Sequence, residues 1–482
     1  MIIGLTLSFL ISVITGVLLL RLVWPDTAGY AWPVGLPLGT GLGMGISSVL
    51  LFLWLLAFGP TRSFPLAEVA VLVIVLLATL RRGRTLPLMY QTSPNASLPY
   101  PKYPLLRTAF LLTLAAATAA FVSMLRQHPH GEWDAWMNWV FRARMIYRGG
   151  GEWEAAFSAA LPWSHPDYPL LLPSLVVRSW LYAGTDSVLG PSLVAATFTF
   201  GTVALLAGAI AVLRTPSQGL LAGVVLLSTP FFIVHGTSLY ADVPLGFFFL
   251  ATLVCLALDA RYEVTANRFA MLAGTAAGLS MWTKNEGVLF TLAIVAGLLT
   301  AEFTAKSRGS RRRLFAFAAG LAPLLLVAAV FKIGFAPSND LLSTLSIERT
   351  MARLTDVSRY YTTGRGYLQH ITSFGSNGFG SAVWLLMAYV LGMGLNRTEI
   401  ARTWLRAGIA ALVLLLAGHF MVFVSMADEL ARLLASSLDR LLLQIWPSAL
   451  LIFFMGVRTM EEALSKQVIL ERQAETGSGA LR

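Results

Sequence analysis

The chain has little charge and almost no cysteine. Asp, Glu, Lys and Arg make up 12% of its 482 residues, against 56% hydrophobic residues and a mean hydropathy of +0.71. A water-soluble domain of that composition would expose large apolar patches, so the apolar residues must face lipid or one another. The single cysteine, Cys255, excludes an intrachain disulfide, and inside an apolar run it reads as a small core residue. Also absent are a Walker phosphate loop, a dinucleotide-binding glycine fingerprint after a strand, and Cys or His pairs at zinc spacing, which argues against ATP-driven transport by this chain alone. A net charge of +11 could point to nucleic acid. The positive-inside bias of membrane proteins accounts for it instead, and no nucleic-acid partner is expected.

What is present is a succession of apolar runs of about twenty residues, the length an α-helix needs to cross a bilayer. A β-barrel would show strands of about ten residues with alternating polarity. The expectation is an all-α polytopic membrane protein of about thirteen spans, at 2–20, 36–58, 65–80, 107–125, 188–213, 219–235, 243–259, 268–283, 287–302, 314–332, 377–395, 407–426 and 438–457. The first run has no basic leader and is followed by Arg21 rather than a small-residue cleavage site, so it reads as a retained helix. With 126–186 placed outside the cytoplasm, parity puts the N-terminus outside and the C-terminus inside. Twenty-one of the 35 basic residues then lie on the cytoplasmic side, and only Arg62, Lys284, Arg432 and Arg440 fall in short outer segments. The chain divides into an additional three-helix segment (1–81), a basic cytoplasmic linker (82–106), a core (107–460) with outer loops 126–186 and 334–376, and a polar, disordered cytoplasmic tail (461–482). Gly35, Gly39 and Gly43, four residues apart, would let two helices approach closely, or are simply small residues in a membrane helix. Asn95-Ala96-Ser97 matches a glycosylation acceptor but falls on the cytoplasmic side.

Against that apolar background the polar residues collect on one side. Glu132-Trp133-Asp134 opens the first outer loop, where the Trp133, Trp136, Val140, Met145 and Ile146 stripe suggests a helix lying flat at the membrane surface. Asp134, partly desolvated by tryptophans, suits a general base towards a hydroxyl or amine, although on residue types alone the stronger reading is an interfacial acid paired with Arg142 or Lys284 that needs no catalytic role. His165-Pro166-Asp167-Tyr168-Pro169 adds an imidazole and a second acid in a stiffened turn, followed by an apolar stretch too short to span. Tyr240-Ala241-Asp242 and Lys284-Asn285-Glu286 lie in tight turns between apolar helices, where ionisable residues are costly unless they serve a polar cavity. Arg359, Arg365 and neighbouring tyrosines in the second loop suit a phosphate bearing a sugar or lipid, or ordinary anionic headgroups. Arg440 could reach a phosphate or merely neutralise Asp439.

These segments, in this order and on one side, resemble the GT-C membrane glycosyltransferases, in particular the bacterial relatives of protein O-mannosyltransferases and of the lipid A aminoarabinose transferase (glycosyltransferase family 39-like). The likeness spans roughly 106–460 and rests on Asp134 just after a membrane helix, the proline-flanked loop end, the Tyr-Ala-Asp-Val-Pro and Thr-Lys-Asn-Glu-Gly hairpins, and Ser437-Leu438-Asp439-Arg440-Leu441. It implies a GT-C-like bundle in the bacterial inner membrane that moves a sugar from a polyprenyl-phosphate carrier to an extracytoplasmic acceptor, a glycan, lipid or protein, with inversion. By the same resemblance Asp134 is the general base; Lys284, Arg365, Arg440 and Arg359 hold the departing lipid phosphate; Glu132, Asp167 and His165 position the acceptor or a divalent metal; and Tyr240, Asp242 and Glu286 support them. The chain departs from the mannosyltransferase pattern in lacking adjacent acids after the first core helix and in carrying three extra helices, which leaves substrate and metal dependence open. A transporter or flippase of lipid-linked glycans is the alternative, although essential polar groups of a transporter would sit near the midplane and on both faces. A scaffold subunit of an envelope complex, with structural acids, is a third.

Overall fold

The computed structural model describes residues 1–25, 31–83, 103–262, 267–305, 310–338, 346–376, 380–426 and 429–463. The Asn95-Ala96-Ser97 triplet, most of the 82–106 linker and all but the first residues of the 461–482 tail lie outside the described residues. Among the described residues the chain is helical, with no strand beyond an isolated bridge between Leu395 and Val457. The principal helices are α1 (Ile2–Val23), α2 (Trp32–Phe58), α3 (Phe64–Arg81), α4 (Pro104–Gln127), α5 (Val140–Gly149), α6 (Leu171–Ala183), α7 (Leu189–Leu213), α8 (Pro216–Leu227), α9 (Pro230–Thr237) and α10 (Asp242–Arg261). They continue as α11 (Arg268–Thr283), α12 (Glu286–Ala305), α13 (Ser310–Gly334), α14 (Ile347–Thr355), α15 (Val357–Ser373), α16 (Ala382–Met393), α17 (Arg397–Ile400), α18 (Thr403–Met426) and α19 (Leu430–Gly456).

Nine described helices, α1 to α4, α7, α10, α13, α18 and α19, are long and apolar enough to cross a membrane, and a bent pair makes a tenth if it counts as one span. The protein is a polytopic helical membrane protein. Among the described residues each of the thirteen expected segments contains a helix, but some are short or bent. The run expected at 219–235 is broken into α8 and α9, inclined at 65°. Pro230 explains the break: it has no N–H to donate and its ring clashes with the preceding turn. Of the remaining expected spans, α11 has 16 residues, α16 has 12, and the apolar part of α12 ends at Ala301.

Helix α10 is the axis of the bundle. It is buried along nearly its whole length, packed between α7, α11 and α19. An all-round apolar helix is stable only where neighbours or lipid cover every face, and Cys255 lies within it, fully buried. Because α10 begins at Asp242, a carboxylate stands at the N-terminal end of the most enclosed helix. The helix macrodipole favours an anion there.

The first three helices are packed into the rest rather than beside it. Helices α1 and α2 touch through glycines: a Cβ on Gly16 would fall 1.8 Å from the Gly39 carbonyl oxygen, and one on Gly43 would fall 1.9 Å from that of Ser12. The second and third glycines of the spaced triplet therefore do allow close approach. Helix α2 runs along α7, while α1, α2 and α3 enclose the short, buried α6. At that junction Arg178 Nε donates to both Glu68 carboxylate oxygens at 2.7 and 2.8 Å, Arg178 Nη2 donates to the Ser8 carbonyl, and Tyr182 Oη donates to Glu68 at 2.8 Å. Both charged partners are buried. Removing one partner of a buried pair leaves an uncompensated charge, at a cost of about 3–5 kcal/mol. We therefore expect Glu68→Leu to lower the thermal unfolding midpoint strongly, and the double variant Glu68→Leu with Arg178→Met to recover most of the loss. A Glu68→Leu protein that melts with the wild type would contradict the clamp.

Candidate functional site

The segment after α4 is anchored before it reaches Asp134. Gly131 adopts a left-handed φ of +74°, and a Cβ there would fall 2.6 Å from the Ser238 carbonyl oxygen. That close approach lets Glu132 N–H donate to Ser238 O at 3.1 Å, tying the loop to the α9–α10 turn. The chain then forms a π-helical turn, Ala135–Trp139, which follows directly on Asp134 and runs into α5. Wider turns of this kind often mark functional sites because they re-aim side chains. Here the apolar stripe expected on one face is split: Val140 and Ile146 are buried, whereas Trp133 and Trp136 are 71% and 62% exposed.

Asp134 meets three distant elements through one arginine. Arg440 Nη2, from α19, donates to Asp134 Oδ2 at 2.7 Å and to Asp242 Oδ2 at 2.8 Å, and Arg440 Nε also donates to Asp242 Oδ2 at 3.1 Å. The guanidinium lies 4.8 Å from the centre of the Tyr240 ring, a cation–π contact that holds it flat. The second oxygen of Asp242 accepts from Lys284 Nζ at 3.0 Å and from Gln444 Nε2 at 2.6 Å, one helical turn beyond Arg440. Lys284 in turn pairs with Glu286 Oε1 at 2.7 Å. The result is an alternating chain of charges, Asp134, Arg440, Asp242, Lys284 and Glu286. Burial disfavours the Lys284 ammonium, but the Asp242 and Glu286 carboxylates outweigh it and hold its pKa above the ordinary lysine value. Asp242 is fully buried, while the Asp134 side chain is 30% exposed, so the chain has one buried centre and one open end.

A second cluster covers the first. Asp167 is buried and accepts from Asn285 Nδ2 at 2.8 Å, while Lys332 lies 3.6 Å from its carboxylate and donates to Asn285 Oδ1 at 2.8 Å. The backbone carbonyl of the next residue, Tyr168, accepts from Arg142 Nη1 at 2.6 Å. His165 takes a left-handed φ of 45° and stacks on Tyr168, which stacks on Trp139 at 5.5 Å. The two prolines restrict this turn, so its three rings form a fixed layer. Arg142 is wholly buried, and desolvation pulls its pKa down to about 9 in spite of Asp167.

The structure thus brings together Asp134, Asp242, Tyr240, Lys284, Glu286 and Arg440 directly, and Asp167 and His165 through the Asn285 turn and the aromatic layer. Glu132 is not among them; it pairs with His128 at 3.3 Å on the exposed side of the loop. Arg359 donates to the Phe423 and Val424 carbonyls at the end of α18. Arg365 is exposed on α15, a helix tied to α19 by a 2.8 Å contact of His370 Nδ1 with Asp439 next to Arg440. Gln444 and Lys332 were not singled out from the sequence. A lone glutamine one turn after Arg440 in an apolar helix was the available signal; Lys332, at the end of an apolar span, looked like an ordinary interfacial cation. No three His, Cys, Asp or Glu side chains among the described residues are grouped as a metal ion would require.

No family model matches the chain, and neither a curated protein nor a solved structure matches it.

The burial difference between the two aspartates yields a test. Asp242→Asn removes the charge that compensates two buried cations and is expected to cost about 3–5 kcal/mol of stability. Asp134→Asn, at the open end, is expected to cost about 1 kcal/mol or less. Chemical or thermal denaturation in detergent measures both, and equal losses would contradict a network centred on Asp242.

Proposed function

We propose that this protein is a membrane glycosyltransferase that passes a sugar from a polyprenyl-phosphate carrier to an extracytoplasmic acceptor, with Asp134 as the general base. The observation that carries the reading is the state of that carboxylate. One oxygen is fixed by Arg440, which Asp242 fixes in turn, and the side chain is partly open. A positioned base of this kind contributes about 10² to 10⁴ in rate by taking the proton of an attacking hydroxyl or amine. The arginine restrains the rotamer, so the base is aimed before the acceptor arrives.

The donor phosphate needs cations in a water-poor setting to leave. Lys284 and Arg440 are already neutralised by carboxylates, so they serve a phosphate by sharing rather than as free charges. Arg365 is the exposed cation of the four candidates. Arg359 is occupied by helix-end carbonyls and contributes by fixing α15 against α18. The basic residues concentrated at the opposite helix ends favour an extracytoplasmic orientation for the site, in the bacterial inner membrane. The acceptor is an envelope glycan, lipid or protein.

The test uses the full chain in lipid nanodiscs, a panel of radiolabelled polyprenyl-phosphate sugars and an envelope extract as acceptor. Transfer by the wild type should fall by at least about a hundredfold in an equally folded Asp134→Asn protein. Equal transfer by both proteins would remove Asp134 from catalysis. Movement of lipid-linked glycan across the bilayer without sugar transfer would identify a flippase instead.

A further inference from the structure

His419 lies within α18 in the sequence Ala417-Gly418-His419-Phe420, and it is buried. Its two ring nitrogens, Nδ1 and Nε2, are both enclosed and form no hydrogen bond with the described residues. A neutral imidazole carries one N–H donor and one bare acceptor, so both capacities are unmet. In a membrane-spanning helix that is costly and points to function.

The partner is on α12. Helices α12 and α18 pack along one another, and a Cβ on Gly418 would lie 2.9 Å from the Leu289 side chain, less than one turn from Glu286. The charged groups that act on His419 are Glu286 and Lys284. Glu286 gives Oε1 to Lys284, and its other oxygen, Oε2, is buried with no hydrogen bond to the described residues. An unmet donor and an unmet ring acceptor on α18 therefore lie on a helix packed against the one that carries an unmet carboxylate oxygen. The alternating chain from Asp134 to Glu286 holds three carboxylates and two cations, so it lacks one positive charge, and its Glu286 end is where His419 lies. Other polar groups packed on α18 are engaged elsewhere: Tyr367 with Leu416 O, Arg359 with Phe423 O and Val424 O, and Arg353 with Ser425 O. From α10 and α19 the nearby charges are Asp242 and Arg440, already paired.

We propose that Glu286 and His419 form a proton-binding site in the membrane-spanning core, holding one proton and one internal water between them. Buried waters usually bridge polar groups left unsatisfied by protein, and this one accepts from the ring N–H and donates to Oε2. Proton transfer across it breaks one N–H bond of the protonated ring, forms one O–H bond on the carboxyl and leaves the total charge unchanged.

The experiment uses full-length protein in nanodiscs with ¹⁵N-labelled histidine rings; the chain has 6 histidines, and His419→Gln assigns the resonance. The His419 ring N–H should exchange with D₂O roughly a hundredfold faster than the backbone amides of α10, and Glu286→Gln should move its ring resonances. A ring N–H as protected as α10, or resonances unmoved by Glu286→Gln, overturns the proposal. His419→Leu gives an independent reading by thermal unfolding. A bridged site predicts a lowered midpoint because Glu286 loses its partner, whereas a raised midpoint would show that the histidine was a dry, unsatisfied group.

Discussion

The structure depends on keeping one carboxylate charged where no water reaches it. Taking an ion of that size out of water costs several kcal/mol even after relaxation. Asp242 meets that cost with donors from three side chains, Lys284, Arg440 and Gln444. These come from the α11–α12 turn and from α19, so the relative placement of three elements is fixed by the requirements of one side chain. A small sliding of α19 would lose Arg440 and Gln444 together, because both project from the same face one turn apart. The enclosed axis α10 is therefore also the reference against which the ends of the neighbouring helices are set.

Compensation is directional. Asp242 is saturated, whereas Asp134 shares only one nitrogen of Arg440 and keeps contact with solvent. The same arginine thus has a buried side and an open side. The rings of His165, Tyr168 and Trp139 stack as a layer in the neighbouring cluster, and fixed dipoles and charges act more strongly away from water than in it. Rigidity of the supporting pairs and openness of the outer acid are two aspects of one arrangement.

Much of this was legible from the residues, for reasons that can be named. Apolar runs near twenty residues announce membrane helices, and ionisable groups in the turns between them stand out because lipid tolerates them poorly. Asp134, Asp242, Lys284 and Arg440 were visible in that way, and their clustering followed from a shared side of the membrane. What sequence did not reveal was who holds whom. Arg440 read as a phosphate ligand or a partner of Asp439, and Lys284 as a phosphate ligand or a partner of Asp134, but pairing is decided by side-chain reach across contacts far apart in the chain, which no local pattern encodes. A helix length was misjudged where Pro230 bends a run, because hydropathy averages over such a break. The role of the first three helices was invisible too, since Glu68 and Arg178 make sense only as a pair.

The sequence separation of these pairs has a consequence for biogenesis. Arg178 closes on Glu68 across 110 residues, but Arg440 closes on Asp134 across 306 and on Asp242 across 198. During synthesis the helices bearing Asp134, Asp242 and Lys284 enter the bilayer well before the arginine exists. The growing chain must carry an incompletely neutralised carboxylate in its core while 198 further residues are added. A nascent chain stalled before α19 is thus chemically distinguishable from a finished one, by a buried acid that any membrane quality-control system sensitive to intramembrane charge can read.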